Sequence, residues 1–113
     1  MSSQQSSAVR RTAGPLLRSG DTTDAIIDAI EEDNPDIEVV VRDHAGYIRV
    51  EGDNGLILRR ETAQQSLGRP FKMQEIEILM AGYSGLIEVT EDYARWYFRS
   101  PPAATPTEGS TPQ

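Results

Sequence analysis

The sequence predicts one small α+β domain, with two β-α-β-β halves and a further C-terminal strand that form mostly antiparallel sheet with helices packed on it. Three observations support this prediction. Segments with the two-residue period of strands alternate with segments of helical period, and Gly, Pro and Asn residues mark the turns between them. Both ends of the chain lack residues that a core could bury. At 113 residues, the chain is at most one ordinary domain.

The domain boundaries follow from the composition of the two ends. Residues 1–12 and 100–113 contain almost nothing that could be buried, so burial cannot offset the entropy lost on ordering them. We expect residues 1–12 to be a disordered tail and residues 100–113 to be a disordered tail rich in Pro and Thr. The single domain then spans residues 13–99.

The first half is predicted to start with a short extended segment at residues 14–18, followed by one helix. Asp21 or Thr22 is expected to cap this helix, whose apolar residues recur at helical spacing while its carboxylates lie mainly on the other side. Asn34-Pro35 ends the helix, because proline disfavours helical geometry in the residue before it. The apolar stripe is Ala25, Ile26, Ile27, Ala29 and Ile30, and the carboxylates are Asp21, Asp24, Asp28, Glu31 and Glu32.

Three β-rich segments follow the helix and are separated by turns. Residues 43–46 form the first turn. Asn54-Gly55 lies between the second and third segments and is the strongest short hairpin signal, so it predicts a β-hairpin there. The three segments are residues 37–42, 47–51 and 56–60.

The second half begins with a short helix predicted at residues 62–67. Thr62 and Gln65 fit a capping box at its start, and Gly68 fits the position that follows a helix. Pro70 prevents the helix from continuing.

The rest of the second half is predicted to be extended. Residues 73–80 alternate, with Ile76 and Ile78 on one face, and are therefore predicted to form a strand. A turn at residues 82–85 and strands at residues 86–89 and 93–98 complete the predicted domain.

The sequence lacks the residues that most catalytic mechanisms need. It has no cysteine, which excludes disulfides, thiolate metal sites and thiol nucleophiles. The single histidine, His44, lies in a predicted surface turn, and no His-x-x-x-His or Glu-x-x-His pair, P-loop or Gly-x-Gly-x-x-Gly motif is present. We therefore expect a binding or regulatory protein with no metal, no cofactor and no enzymatic activity of its own.

The charge and hydropathy of the chain exclude two classes of partner. A net charge of −7 argues against nucleic acid, because phosphate binding needs a surplus of Lys and Arg. No stretch approaches the roughly 20 apolar residues of a membrane span, so we expect no membrane partner and a cytoplasmic location. The acidic helix face is interpreted as solvated. If it has a function, we expect docking against a basic or polar partner surface.

Two other functions remain open from the residues alone. One is a small-molecule-binding regulatory domain with ferredoxin-like topology, which predicts a concave pocket and thermal stabilisation by its ligand. The other is a stand-alone hydrolase or isomerase whose activity depends on His44 or on a pair of carboxylates.

Four sequence phrases together resemble a known family. In their order and spacing they are similar to the effector proteins of toluene-type aromatic and alkene monooxygenases, a family that includes the regulatory proteins of phenol hydroxylase and soluble methane monooxygenase. The resemblance covers about residues 14–98, and its Leu-Gly-Arg-Pro-Phe stretch is fairly specific. The phrases are GPLLRSGD at residues 14–21, EDNP at 32–35, YIRV at 47–50 and LGRPFKMQEIEI at 67–78.

The resemblance implies a cofactor-free effector, or coupling, subunit. Such a protein docks on the di-iron hydroxylase of a multicomponent monooxygenase, which receives electrons from a reductase and often a Rieske ferredoxin. It alters the geometry and access of the hydroxylase active site, so that turnover and coupling rise. We expect the free protein to be a monomer. Whether the partner oxidises an aromatic compound, an alkene or another hydrocarbon stays open.

The resemblance also implies candidate contacts with the hydroxylase, at motif positions that are predicted to lie in loops. A plain turn role competes with this interpretation, since Pro70 ends a helix while Gly68 and Gly85 permit positive φ. Arg10 and Arg11 in the N-terminal tail are further candidates, because a disordered segment can become ordered on binding. The candidate contacts are Asn34, Pro35, Gly68, Arg69, Pro70, Gly82, Tyr83 and Ser84.

Overall fold

A computed structural model describes residues 12–98. Residues 1–11 of the first predicted tail and the whole of the second, residues 100–113, lie outside the described residues. The predicted tails therefore stay predictions. Thr12, which was assigned to the first tail, begins the first strand and pairs with Asp53. In chain order the elements are β1 (Thr12–Arg18), α1 (Asp21–Asp33), β2 (Val39–Asp43), β3 (Tyr47–Asp53), β4 (Gly55–Arg59), α2 (Arg60–Leu67), α3 (Gln74–Leu79), β5 (Met80–Ser84), β6 (Leu86–Val89) and β7 (Tyr93–Tyr97).

The strands form two antiparallel sheets, with the orders β2-β3-β1-β5 and β4-β7-β6. The predicted α+β class with mostly antiparallel pairing is confirmed. A ferredoxin-like arrangement would place the strands in one sheet, whereas the strands described here are divided between two.

The two predicted halves share one pairing pattern. In the first half, β1 pairs with β3 and β3 pairs with β2; in the second, β4 pairs with β7 and β7 pairs with β6. The additional strand was predicted to be the C-terminal one, but it is β5. This strand leaves the second half and pairs with β1 of the first.

The core lies between the sheets and the apolar face of α1. A 13-residue helix is marginal on its own in water, so burial of Ile26 and Ile30, both fully inaccessible, stabilises α1. The predicted carboxylates of this helix are all exposed. The buried hydrophobic residues are Ala13, Leu17, Ile26, Ile27, Ala29, Ile30, Val50, Leu56, Leu58, Ala63, Phe71, Met73, Ile76, Ala94 and Trp96.

The strand predicted at residues 73–80 is wrong, because most of this segment is the helix α3. Local hydrogen bonds favour the helix: the Lys72 N–H donates to the Glu75 carboxylate at 3.0 Å, and the Glu75 N–H donates to the Lys72 carbonyl at 2.8 Å. Residues two apart share a face in a strand but lie about 200° apart on a helix. Ile76 is accordingly buried, while Ile78 is 75% exposed.

The hairpin predicted at Asn54-Gly55 is also wrong. Both residues have the positive φ that such a turn requires, 69° and 119°. However, β3 is already paired on both edges, by β1 and by β2, so β4 cannot add to it. The turn instead carries the chain into the second sheet, where β4 pairs with β7. The other turn, at residues 43–46, does join a hairpin, that of β2 and β3.

The predicted helix caps are confirmed at one position only. Gly20, not Asp21 or Thr22, precedes α1, and no side chain caps that helix. The capping box of Thr62 and Gln65 does not form, because α2 begins two residues earlier than predicted. Gly68 ends α2 as predicted, with a φ of 72° and its N–H donating to the Gln64 carbonyl at 2.8 Å.

A candidate protein-binding surface

Residues 12–98 contain no cluster of three or more His, Cys, Asp or Glu side chains that could hold a metal ion. His44 is exposed in the turn between β2 and β3, where its backbone N–H donates to the Tyr47 carbonyl at 2.7 Å. The eight predicted contact residues are the further candidates for a functional site.

Within the described part of the chain, no helix has the length and apolar character needed to cross a bilayer.

Asn34 is buried and has a structural role that the sequence did not reveal. Its side-chain nitrogen donates to the carbonyls of Ile30 at 2.6 Å and Ile57 at 2.8 Å, and its Oδ1 accepts the Ile57 N–H at 3.1 Å. The amide therefore joins the end of α1 to β4. Asn34 as a whole is 5% exposed. Pro35, the next residue, is exposed.

Asp33 forms a second link beside Asn34. One carboxylate oxygen accepts the Arg59 N–H at 2.8 Å, and the other accepts the Thr62 hydroxyl at 2.7 Å. The Arg59 guanidinium lies 3.8 Å from the same carboxylate, whose side chain is 6% exposed. Together, Asp33 and Asn34 attach the C-terminus of α1 to the junction of β4 and α2. Both residues lie in the EDNP phrase, but their partners are remote in sequence.

The loop at residues 68–70 is exposed, and the side chain of Arg69 holds it in place. Arg69 Nη1 donates to the Pro70 carbonyl at 2.9 Å and lies 3.4 Å from Glu75 Oε1 on α3. The guanidinium carbon is 5.9 Å from the centre of the Phe71 ring, which is buried. The Phe71 N–H donates to the Gln64 side chain at 3.1 Å, so the loop is tied to both α2 and α3.

Ile78 belongs to the same surface as this loop, although the sequence placed it on a strand face. A shallow cleft of about 170 Å³ is lined by Thr22, Arg69, Glu75, Ile78 and Leu79. We refer to Arg69, Pro70, Glu75 and Ile78, with Thr22 across the cleft, as the loop–α3 surface. A helix prediction for this segment would have placed Ile78 away from the buried Ile76 and so would have predicted that Ile78 is exposed.

Gly82, Tyr83 and Ser84 do not form the predicted turn but belong to β5, an edge strand of the first sheet. Their Gly-rich sequence suggested a turn, but pairing with β1 extends the chain, with Tyr83 opposite Pro15. Tyr83 is 49% exposed. The Ser84 hydroxyl contacts both Arg49 and Glu51, each at 3.3 Å.

The eight candidates therefore occupy three places. Asn34 and Pro35 lie at the end of α1, Gly68 to Pro70 lie on the loop–α3 surface, and Gly82 to Ser84 lie on the strand that continues from α3.

Replacing Arg69 with alanine is expected to lower the free energy of unfolding by less than about 1 kcal/mol, because its ion pair with Glu75 is exposed to solvent. The backbone contacts of Gly68 and Phe71 with Gln64 remain in the variant. Urea unfolding followed by circular dichroism measures the change. A loss above about 2 kcal/mol, beyond the range of exposed ion pairs, would contradict this assignment.

The fold and this surface define a small α+β protein whose candidate residues are suited to contact with another protein. The chain matches the model of the MmoB/DmpM family over residues 11–97 and belongs to that family. The resemblance predicted from the sequence phrases is thus confirmed.

Two relatives carry descriptive names. Over 87 residues, the chain is 39% identical to the effector subunit of the alkene monooxygenase system of Xanthobacter autotrophicus strain Py2, covering 77% of this chain and 86% of the relative. Over 76 residues, it is 32% identical to the stimulatory component DmpM of phenol 2-monooxygenase from Pseudomonas sp. strain CF600, covering 67% of this chain and 82% of the relative.

Solved structures share the fold. A chain of the phenol hydroxylase–regulatory protein complex superimposes with a TM-score of 0.70 at 25% identity, over 79% of this chain and all of that one. The regulatory protein B of soluble methane monooxygenase superimposes with a TM-score of 0.62 at 18% identity, over 79% of this chain and 66% of that one, and supports the fold alone.

Proposed function

We propose that this protein is a non-catalytic effector, or coupling, subunit that binds the hydroxylase component of a di-iron hydrocarbon monooxygenase. The observation that carries the proposal is the match to the MmoB/DmpM family across the whole described domain. The relatives are named as an effector subunit and a stimulatory component, and a structural neighbour is a regulatory protein from a complex with phenol hydroxylase. The names of the relatives support an aromatic compound or an alkene as the substrate of that hydroxylase.

A protein without chemistry of its own can raise turnover only by differential binding. The effector must bind the active conformation of the hydroxylase more tightly than the resting one, and each tenfold difference in affinity is worth about 1.4 kcal/mol of conformational bias. The active-site geometry and access of the hydroxylase then change with that equilibrium, and with them turnover and coupling.

The contact region that we propose centres on the loop–α3 surface and includes Tyr83. The loop at residues 68–70 is exposed but fixed by Glu75 and Gln64, so binding does not have to order it. Pro35 is an exposed candidate at the far end of α1. Asn34 is not included, because its amide is fully used within the fold.

The remaining features of the proposal come from the chain's composition and family. We propose a monomer that works in the cytoplasm without a resident cofactor. The surplus of acidic residues, with a net charge of −7, supports a protein partner over nucleic acid.

Reconstitution of the monooxygenase tests the proposed function. The genuine hydroxylase and its electron-transfer components are assayed for product and for hydrogen peroxide while the full chain is titrated in. We expect product formation to rise several-fold and to saturate near one effector per hydroxylase active site, with less peroxide per electron consumed. An unrelated acidic protein of similar size and charge is the control. Product and peroxide that do not respond to saturating amounts of this chain would refute the proposal.

A further inference from the structure

We propose that Ile78 is the apolar anchor of the docking surface, and that it enters an apolar pocket on the hydroxylase whose rim carries a cationic side chain opposite Glu77. This inference rests on the proposed function and assigns to one side chain a role that none of the sequence phrases indicated.

The exposure of Ile78 is unusual among the large hydrophobic residues described. It is 75% exposed, whereas the other exposed members of this group, Tyr83, Val41 and Tyr47, are 49%, 42% and 40% exposed. Single exposed hydrophobic residues are common, so exposure alone decides little. Ile78 differs in that it stands beside a cleft and between polar groups of the loop–α3 surface.

The backbone at Ile78 is held in place by the fold, although the Ile78 side chain is exposed to solvent. Its carbonyl accepts a hydrogen bond from Arg18 Nε at 3.3 Å, and the preceding Ile76 is fully buried under the same helix. Glu75 fixes the start of the helix through Lys72 N–H and Arg69. Because the backbone at Ile78 is already fixed, binding has to order only the Ile78 side chain and not the segment that carries it, which lowers the entropy lost on binding.

The charges around Ile78 specify the rim of the partner pocket. Gln74, Glu77 and Ile78 share the exposed face of α3, since they are three and four residues apart. The chain as a whole has 18 acidic and 11 basic residues. Around Ile78, however, charges of both signs are present: Arg69 pairs with Glu75, and Arg18 donates to the Ile78 carbonyl. Glu77 has no ion-pair partner among the described residues, so a Lys or Arg on the rim of the partner pocket would pair with it and would accelerate association at low salt.

The test is the affinity of the full-length chain for its genuine hydroxylase, measured by calorimetry and by half-saturation of the stimulated rate. Ile78→Ala is expected to weaken binding about tenfold and Ile78→Glu about a hundredfold or more, the range found for central interface residues. Val41→Glu is the matched control, since Val41 is an exposed apolar residue on the edge strand β2. It should bind within about twofold of the parent, as expected outside an interface core.

Three outcomes decide the inference. Thermal unfolding of Ile78→Ala and Ile78→Glu should match the parent, so that weaker binding reports the contact and not the fold. Affinity of Ile78→Glu within about twofold of the parent, or an equal loss in Val41→Glu, would overturn the anchor while leaving the proposed function intact. A parent chain that neither binds nor stimulates the hydroxylase would overturn both.

A separate variant tests whether the rim of the pocket is cationic. Glu77→Lys is expected to bind about tenfold more weakly at low ionic strength, and the difference should shrink as salt is added. Affinity that is insensitive both to this charge reversal and to salt would overturn the assignment of the rim.

Discussion

Replacing Gly55 with alanine is expected to lower the free energy of unfolding by more than about 4 kcal/mol, which is most of the stability of many domains of this size. Gly55 has a φ of 119°, and a Cβ there would lie 2.2 Å from the Trp96 carbonyl oxygen and 3.1 Å from the Tyr97 Cα. Both are backbone atoms of β7, so the steric clash can be relieved only if β4 separates from β7. Far-UV circular dichroism and guanidinium unfolding measure the loss.

Gly68→Ala is the control for this variant. Gly68 also has positive φ, 72°, but a Cβ at this position meets nothing within 4 Å. Only the left-handed backbone strain remains, for which we expect about 1 kcal/mol. A Gly55→Ala protein as stable as Gly68→Ala would contradict the close approach of β4 to β7.

Asn34→Ala is expected to lower the free energy of unfolding by about 3 kcal/mol. The change removes two hydrogen bonds from the side-chain nitrogen and one to Oδ1, and it leaves the buried polar groups of Ile57 and Ile30 without their partner. Unsatisfied buried groups account for about 1–3 kcal/mol each, less where water or a shift of the backbone can compensate. Chemical denaturation of the full chain gives the value.

Asp36→Ala, an exposed change two residues further on, should alter stability by less than about 0.5 kcal/mol. The Asn34 variant also separates a structural role from an interface role. Under conditions where it stays folded, we expect its affinity for the hydroxylase to equal that of the parent. Reduced affinity with unchanged stability would instead place Asn34 in the contact.

The features that the sequence predicted well are those that short-range chemistry determines. Four of the five residues in the apolar stripe of α1 are buried as its period required, and Ala25 is half-buried. The strand at residues 86–89 has the predicted bounds. Gly68 ends α2 because only the local backbone has to adopt a left-handed turn. The turn at residues 43–46 joins neighbouring strands and needs no distant partner.

The errors arose where the outcome depends on distant partners or on competing local patterns. Asn54-Gly55 adopts the backbone of a hairpin turn, but its effect depended on whether β3 had a free edge. The sequence of residues 73–80 fits the two-residue period of a strand as well as the period of a helix. The hydrogen bond from the Lys72 N–H to the Glu75 carboxylate favours the helix. That error concealed Ile78, the most exposed large hydrophobic residue among those described.

The sequence predicted some residues of the candidate site correctly and others incorrectly. The loop at residues 68–70 was identified from turn chemistry and family resemblance, and it is exposed. The structural role of Asn34 could not be predicted, because the partner that satisfies its amide, Ile57, lies on another strand. Exposure of Tyr83 was correctly expected, though for a turn and not for the edge strand in which it lies.

The position of β5 has a consequence for how the chain folds. Because β5 pairs with β1, contacts between residues that are far apart in the sequence, such as Leu16 and Gly82, complete the first sheet. We therefore expect neither half to fold as an autonomous fragment, since the first half would lose an edge strand and the second would carry an unpaired one. Forming this long-range pairing requires closure of a large loop, so we expect the domain to assemble in one cooperative step in which β1 and β5 meet late. The α3–β5 connection, which carries the docking surface, would then reach its native form only when the whole domain does.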